Sequence, residues 1–163
     1  MDKNKFILDA CCSIRDFWWD KKDKNTLYVD IRKEESGFCE LRGDRELKPD
    51  IVADFRNLPF ENNSFKLIIF DPPHLKNLVE TSQFKNIYGQ LDKETWEEDI
   101  KKGFNECWRV LEDKGVLIFK WADHDIKINK ILEVIGREPL FGHKTRVNTK
   151  NHKGTYWFCF MKK

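Results

Sequence analysis

Four short apolar runs in the first half of this chain each run into an aspartate: residues 5–9 (KFILD), 26–30 (TLYVD), 50–53 (DIVA, followed by Asp54) and 66–71 (KLIIFD). Apolar runs this short, bounded by polar residues, read as strands buried on both faces. A fifth run, residues 115–121 (GVLIFKW), follows the pattern without the acid. Strands separated by amphipathic or loop stretches predict an α/β, Rossmann-like fold: an open, mostly parallel sheet with helices on both faces. Ligands of such sheets bind at the carboxyl ends of the strands, beside the point where strand order reverses. Asp9, Asp30, Asp54 and Asp71 stand at those ends.

The remaining elements complete a seven-stranded sheet within one domain spanning residues 1–163. A helix is expected over 93–111, where Trp96, Ile100, Phe104, Cys107, Trp108 and Leu111 form one stripe. Gly115 is expected to stop it. A second helix is expected over 126–135. Residues 139–142 and 155–161 (TYWFCFM) read as a final pair of strands with an antiparallel C-terminal strand, joined by an exposed basic hairpin loop at 146–154.

Composition narrows the class. At 13% aromatic and 40% hydrophobic, the chain has material for a core and is no disordered or collagen-like sequence. Its clean apolar runs, 67–70 and 116–119 among them, fall far short of the ~20 residues that span a membrane. Five cysteines form no CxxC pair and no His/Cys metal spacing, and Cys11 and Cys12 are adjacent. A reduced, cytoplasmic compartment and no metal are the expectation. The net charge of +2 hides an asymmetry: residues 137–163 hold seven basic side chains and one acid, against 23 and 27 elsewhere. That basic tail, with His143, Lys144, Arg146, Lys150, His152 and Lys153, suggests a polyanionic partner reached through phosphates; a merely solvated lysine-rich tail accounts for it as well.

Asp71-Pro72-Pro73-His74 carries the sharpest chemistry. Two prolines fix the backbone just past a buried strand and leave carbonyls free to accept. An acid beside a rigid carbonyl can accept both hydrogens of a planar amino group and so aim its lone pair at an electrophile.

This turn, with the segments around it, resembles class I S-adenosylmethionine-dependent methyltransferases. Ala53-Asp54-Phe55-Arg56-Asn57-Leu58-Pro59-Phe60-Glu61-Asn62-Asn63-Ser64-Phe65 running into IIFDPPH is similar to that family's third and fourth motifs. Cys107-Trp108-Arg109-Val110-Leu111 through Gly115 is similar to its passage before strand five. The turn itself resembles the D/N-P-P-aromatic motif of amino-methyltransferases, above all small phage-type enzymes acting on adenine N6 in DNA. The resemblance implies S-adenosyl-L-methionine as cofactor, Asp71, Pro72, Pro73 and His74 as the catalytic turn, and nucleic acid, with DNA first, as substrate. It implies that Asp30, with Ile31, meets the cofactor ribose, and that Asp54 and Phe55 meet its adenine. Leu58 and Phe60 would line the same pocket or equally well pack in the core.

The first loop, Asp9-Ala10-Cys11-Cys12-Ser13-Ile14-Arg15, would hold the cofactor too, with Cys11, Ser13 and Arg15 where the family has glycines. Arg15 is then expected to redirect the loop and to pair with an acid or with the cofactor carboxylate. His74 stands where an aromatic stacks on the flipped base. Residues 75–91 read as a lid, and Tyr88, Lys120, Trp121, Lys150 and Lys153 as substrate-side. Trp18 and Trp19 read as packing around the cofactor loop, and His124 as part of a helix-capping cluster. The length leaves no room for a separate domain that reads sequence. Transfer to RNA, a protein amide or a small molecule stays open, as does a degenerate fold that binds nucleic acid, a partner protein or the cofactor without transferring methyl.

Overall fold

The structure is a computed structural model that describes residues 5–40, 43, 45–145 and 154–163. Strand β1 (Ile7–Asp9) lies between β2 (Thr26–Asp30) and β4 (Phe65–Phe70); β3 (Ile51–Val52) lies outside β2 and pairs with it alone, so Val52 is exposed where the sequence predicts a buried strand. Beyond β4 comes β5 (Leu111–Ala122); these five strands are parallel. β7 (Thr155–Met161) then pairs antiparallel with both β5 and β6 (Phe141–Thr145). The order β3-β2-β1-β4-β5-β7-β6 is the mostly parallel seven-stranded sheet that the apolar runs predict. The chain reverses its march across the sheet between β1 and β4, so their carboxyl ends flank the switch point.

Leu8, Val29, Ile68, Phe70, Leu117 and Phe119 are buried in the sheet. Against them helix α2 (Trp96–Val110) sets Ile100, Phe104, Cys107 and Val110, the apolar stripe legible in the sequence. Each large side chain so buried contributes roughly 1.5–3 kcal/mol. Trp108 of that stripe stays half-buried, stacked on Phe104. Helix α3 (Ile128–Ile135) packs beside α2 and ends at Gly136, whose φ of 67° is the left-handed stop.

The boundaries differ from expectation for local reasons. Asp92 Oδ1 accepts the N–H groups of Glu94 (2.8 Å) and Thr95 (3.0 Å), a turn that holds 92–95 outside α2. At its other end α2 stops at Val110 because Leu111 turns extended and pairs with Phe65. Gly115 is therefore no helix stop: it lies inside β5, and Lys114 takes the positive φ of 63°. β6 begins two residues later than expected. The segments after β1 and β2, 10–25 and the described part of 31–50, carry turns and no α-helix. Lys150 and Lys153, with Arg146, His152 and the rest of that basic loop, lie outside the described residues. Among the described residues no helix is long and apolar enough to cross a membrane.

Gly103 is where α2 packs tightly on Phe55 and Phe70. A Cβ there would lie 2.4 Å from a ring carbon of Phe55 and 2.8 Å from one of Phe70. Gly103→Ala should cost about 1–3 kcal/mol through overpacking, outweighing the ~1 kcal/mol that alanine gains in helix propensity. A urea midpoint at or above that of the wild type would show the contact to be soft.

Candidate active site

The loop after β1 keeps a glycine-like path without glycines. Ser13 and Arg15, at two of the family's glycine places, have φ of 44° and 58°, a region that costs side-chain-bearing residues on the order of 1 kcal/mol or more each. Contacts from outside hold it. The Ser13 N–H donates to Asp30 Oδ2 at 2.9 Å, and its hydroxyl to the Ile87 carbonyl at 2.6 Å. Arg15 turns away from the strand ends. Its guanidinium donates to the carbonyls of Lys21 and Lys48, both at 2.7 Å, lies 3.7 Å over the Tyr28 ring, and is 3.8 Å from Asp50. Of the two partners the sequence suggests for it, the acid is the one in reach.

Asp9 is fully buried behind this loop, accepting the Trp18 indole N–H at 2.6 Å and the Cys11 N–H at 3.3 Å. Burial pushes its carboxyl up to about 7, against the lowering effect of those bonds. Trp18 thus packs around the loop, edge-on to Tyr28, whereas Trp19 is fully exposed. Burial likewise raises the Cys11 and Cys12 thiols, so neither is a ready thiolate.

The next two strand ends repeat one device, Asp-x-Arg. Asp30 Oδ1 accepts the N–H (3.0 Å) and Nε (3.3 Å) of Arg32. Asp54 Oδ1 accepts the same two groups of Arg56, at 2.8 and 2.9 Å, and the Arg56 fork reaches on to Asp99 at 2.9 Å. The Arg56 bonds hold the Asp54 carboxyl below the usual carboxylate range.

At the end of β4, Asp71 meets an ammonium and an imidazole. Lys120 Nζ donates to Oδ2 at 2.6 Å, and His74 Nε2 lies 2.9 Å from Oδ1. The His74 contact is close but off the line of a hydrogen bond, so Oδ1 and His74 Nδ1 are both buried without an aligned partner among the described residues. Burial pushes the Asp71 carboxyl up, but His74 and Lys120 together outweigh it and the group lies below its usual range. The His74 ring stands edge-on to Trp121, centroids 4.9 Å apart. Trp121 is itself wholly buried and donates to the Ile126 carbonyl.

Residues 75–91 form a strap closed at its base by the Leu91 N–H donating to the Leu75 carbonyl at 2.9 Å. It contains the short helix α1 (Gln83–Tyr88). Arg32 donates to the carbonyls of Asn86 and Ile87 at its end, and the Tyr88 hydroxyl to Asp16 at 3.1 Å. Gly89 follows at φ 76°, close against Pro73. At the strap's start, Asp125 Oδ2 accepts the N–H groups of Lys76 and Asn77. The Asp123–Asp125 cluster is therefore a strap anchor more than a helix cap, since the residue capping α3 is Lys127.

These elements enclose a cavity of about 1020 Å³ at the carboxyl edge of the sheet. Ala10, Cys11, Cys12 and Ser13 line it, as do Asp30, Ile31, Asp54 and Phe55, the whole Asp71–His74 turn, Tyr88 and Lys120. Four residues anticipated from the sequence do not: Asp9 and Arg15 lie behind the loop, while Leu58 and Trp121 are core. Phe60 also belongs to the core. Sequence reasoning missed Phe17, Arg32, Arg56 and His124, which line the cavity. Only the two arginines had a readable signal, the repeated Asp-x-Arg. Among the described residues no group of three or more His, Cys, Asp or Glu could hold a metal ion.

No family model and no curated protein sequence matches the chain. Solved structures do. The chain is similar to a SAM-dependent methyltransferase from Methanosarcina mazei, with a TM-score of 0.59 at 12% identity over 99% of this chain and 94% of that one. It is similar to the N-methyltransferase NodS from Bradyrhizobium japonicum WM9 bound to S-adenosyl-L-homocysteine (TM-score 0.60, 10% identity, 96% and 76% covered). It is also similar to the [4+2]-cyclase SpnF (TM-score 0.56, 12% identity, 96% and 73% covered). Likeness at such identities establishes a fold, and function must be argued from the site. The chain has the Rossmann-like fold of class I S-adenosylmethionine-dependent methyltransferases.

Proposed function

We propose that the protein is an S-adenosylmethionine-dependent methyltransferase acting on an exocyclic amine, with adenine N6 in DNA as the first substrate class. The observation that carries this reading is that Asp71, in a rigid Pro-Pro turn, shares one cavity with the strand-end acids Asp30 and Asp54. The residues present fit the cofactor. Asp30 Oδ2 receives only the Ser13 N–H among the described hydrogen bonds, which leaves acceptor capacity for a ribose hydroxyl. Ile31 is 52% exposed at the cavity edge, an apolar face that a purine would cover. Asp54 and Phe55 extend that face. The N-methyltransferase among the structural neighbours agrees with a nitrogen acceptor.

The cofactor supplies an electrophilic methyl group, and transfer needs no metal. The chain's part is orientation. Asp71 Oδ1 accepts from the substrate amine, Pro72 and Pro73 fix where that oxygen stands, and His74 lies along the incoming ring. A base in a duplex must leave the stack to reach them. The strap 75–91 lines one side of the cavity with Tyr88.

Calorimetry with S-adenosylmethionine tests the reading. Binding should weaken roughly 10–100-fold in Asp30→Ala, the worth of one or two hydrogen bonds to a charged group. Tritiated methyl transfer to DNA, RNA, protein and small amines in parallel then identifies the substrate. No binding at millimolar cofactor, with Asp30→Ala behaving as wild type, would leave a fold that binds a partner without transferring methyl.

A further inference from the structure

Lys120 is held as a substrate ammonium would be. Its Nζ donates to Asp71 Oδ2 at 2.6 Å and lies 5.5 Å from the ring centroids of both Phe17 and Trp157. The two rings meet edge to face at 5.6 Å. A carboxylate with two aromatic faces is the recognition set for an organic cation, and here a side chain of β5 fills it. The position is fixed by pairing within the sheet, because Lys120 stands opposite Trp157 in the β5–β7 ladder. Lys120, Asp71 and Phe17 line the cavity. The other polar neighbour of Asp71, His74 Nε2 at 2.9 Å from Oδ1, comes from the turn itself.

From this arrangement we infer that Lys120 sets the substrate class: it makes the site take a neutral, planar amine and reject an alkylammonium ion. The inference deepens the amine-transfer reading and rests on it for its biological meaning. Two physical effects point the same way. The negative charge that would attract an ammonium is already compensated at Oδ2, and a second cation entering the cavity would meet Lys120 at close range. A neutral amino group on an aromatic ring meets neither obstacle. Its hydrogens find Asp71 Oδ1, which lacks an aligned donor. The same selection serves the chemistry, since an ammonium has no lone pair to attack with, whereas an aryl amine is unprotonated at neutral pH.

Binding of two probes of opposite kind tests this without methyl transfer. The neutral amine is 9-methyladenine; the charged one is benzylammonium, which keeps an aromatic ring. Titrated into the wild-type protein at pH 7.5 and followed by calorimetry, 9-methyladenine should bind at least tenfold more tightly. In Lys120→Met the ammonium position is vacated, and the preference should invert. Lys120→Arg, which keeps the charge, should retain the wild-type order, and circular dichroism of all three proteins checks that the fold is intact. Benzylammonium binding to wild type as tightly as 9-methyladenine, neither probe binding, or an unchanged order in Lys120→Met would each overturn the inference. If Lys120→Met does not fold, the order in wild type and Lys120→Arg decides. Failure of S-adenosylmethionine to bind while the probe preference inverts would sink the methyltransferase reading and leave the charge selection standing.

Discussion

Asp71→Asn should lower methyl transfer by at least about 1000-fold, a loss of roughly 4 kcal/mol from the transition state, while cofactor affinity stays close to wild type. Asparagine has nearly the shape of aspartate, so the turn that Pro72 and Pro73 enforce should persist. What changes is the electrical character of one group. The Lys120 ammonium loses its 2.6 Å counter-ion, and His74 loses the carboxylate 2.9 Å away. The amide also offers a donor where the incoming amine needs an acceptor. Because Asp71 and Asp30 stand on different strands, binding of cofactor and transfer to substrate should separate: calorimetry unchanged, tritium incorporation lost. Full activity in Asp71→Asn would show that the reaction does not pass through this turn.

The second large effect concerns stability and pH. Asp9 is wholly buried and its carboxyl is pushed from an ordinary 3.8 to about 7. The sign follows from linkage. Between these values the unfolded chain has released its proton while the folded chain retains it, so stability falls as pH rises and levels off only above about 7. A shift of about three units corresponds to roughly 4 kcal/mol. Asp71, Asp54 and Glu106 are shifted the other way. Their contributions are complete above the ordinary carboxylate range and are lost below it, so they oppose Asp9 only at the acid end, and comparison with Asp9→Asn cancels them. Asp9→Asn keeps an acceptor for the Trp18 indole and cannot ionise. From urea unfolding at both pH values, the wild type should lose about 4 kcal/mol more than Asp9→Asn on going from pH 4 to pH 8. Parallel loss in the two proteins would mean that water or a rearranged Trp18 solvates the ionised acid.

The fold was legible because its signals are local and redundant. Each buried strand is a short apolar run, the stripe on α2 repeats at helical spacing, and the strand-end acids mark one edge. TYWFCFM needed no tertiary knowledge to be read as a strand, and β7 spans those residues. What escaped were effects of distant partners. Nothing near Leu111 announces that it will leave the helix to pair with Phe65. Nothing in the string Cys11–Arg15 says that Lys48, Ile87 and Asp30 will hold it in place. Leu58 belongs to the resemblance at the cofactor's adenine, yet its N–H is tied to Glu106 and its side chain joins the core. Lys120 was readable as an edge residue. Its contact with Asp71 was not, because adjacency of β4 and β5 is a property of the sheet order.

The bracing of Ser13 and Arg15 carries a consequence for how this loop meets a ligand. A glycine loop is a loose hinge that loses freedom when a ligand freezes it. Here that freedom is already gone once the chain has folded, since the Asp30 carboxylate and the carbonyls of Ile87 and Lys48 clamp the two left-handed residues. The loop behaves as a mould rather than a hinge, and affinity for whatever it cradles can be tuned from the far side. Changes around Lys21, Lys48 or Asp50, which touch Arg15 and never the cavity, would alter the mould's shape. An active-site property is thereby written into the back surface of the molecule.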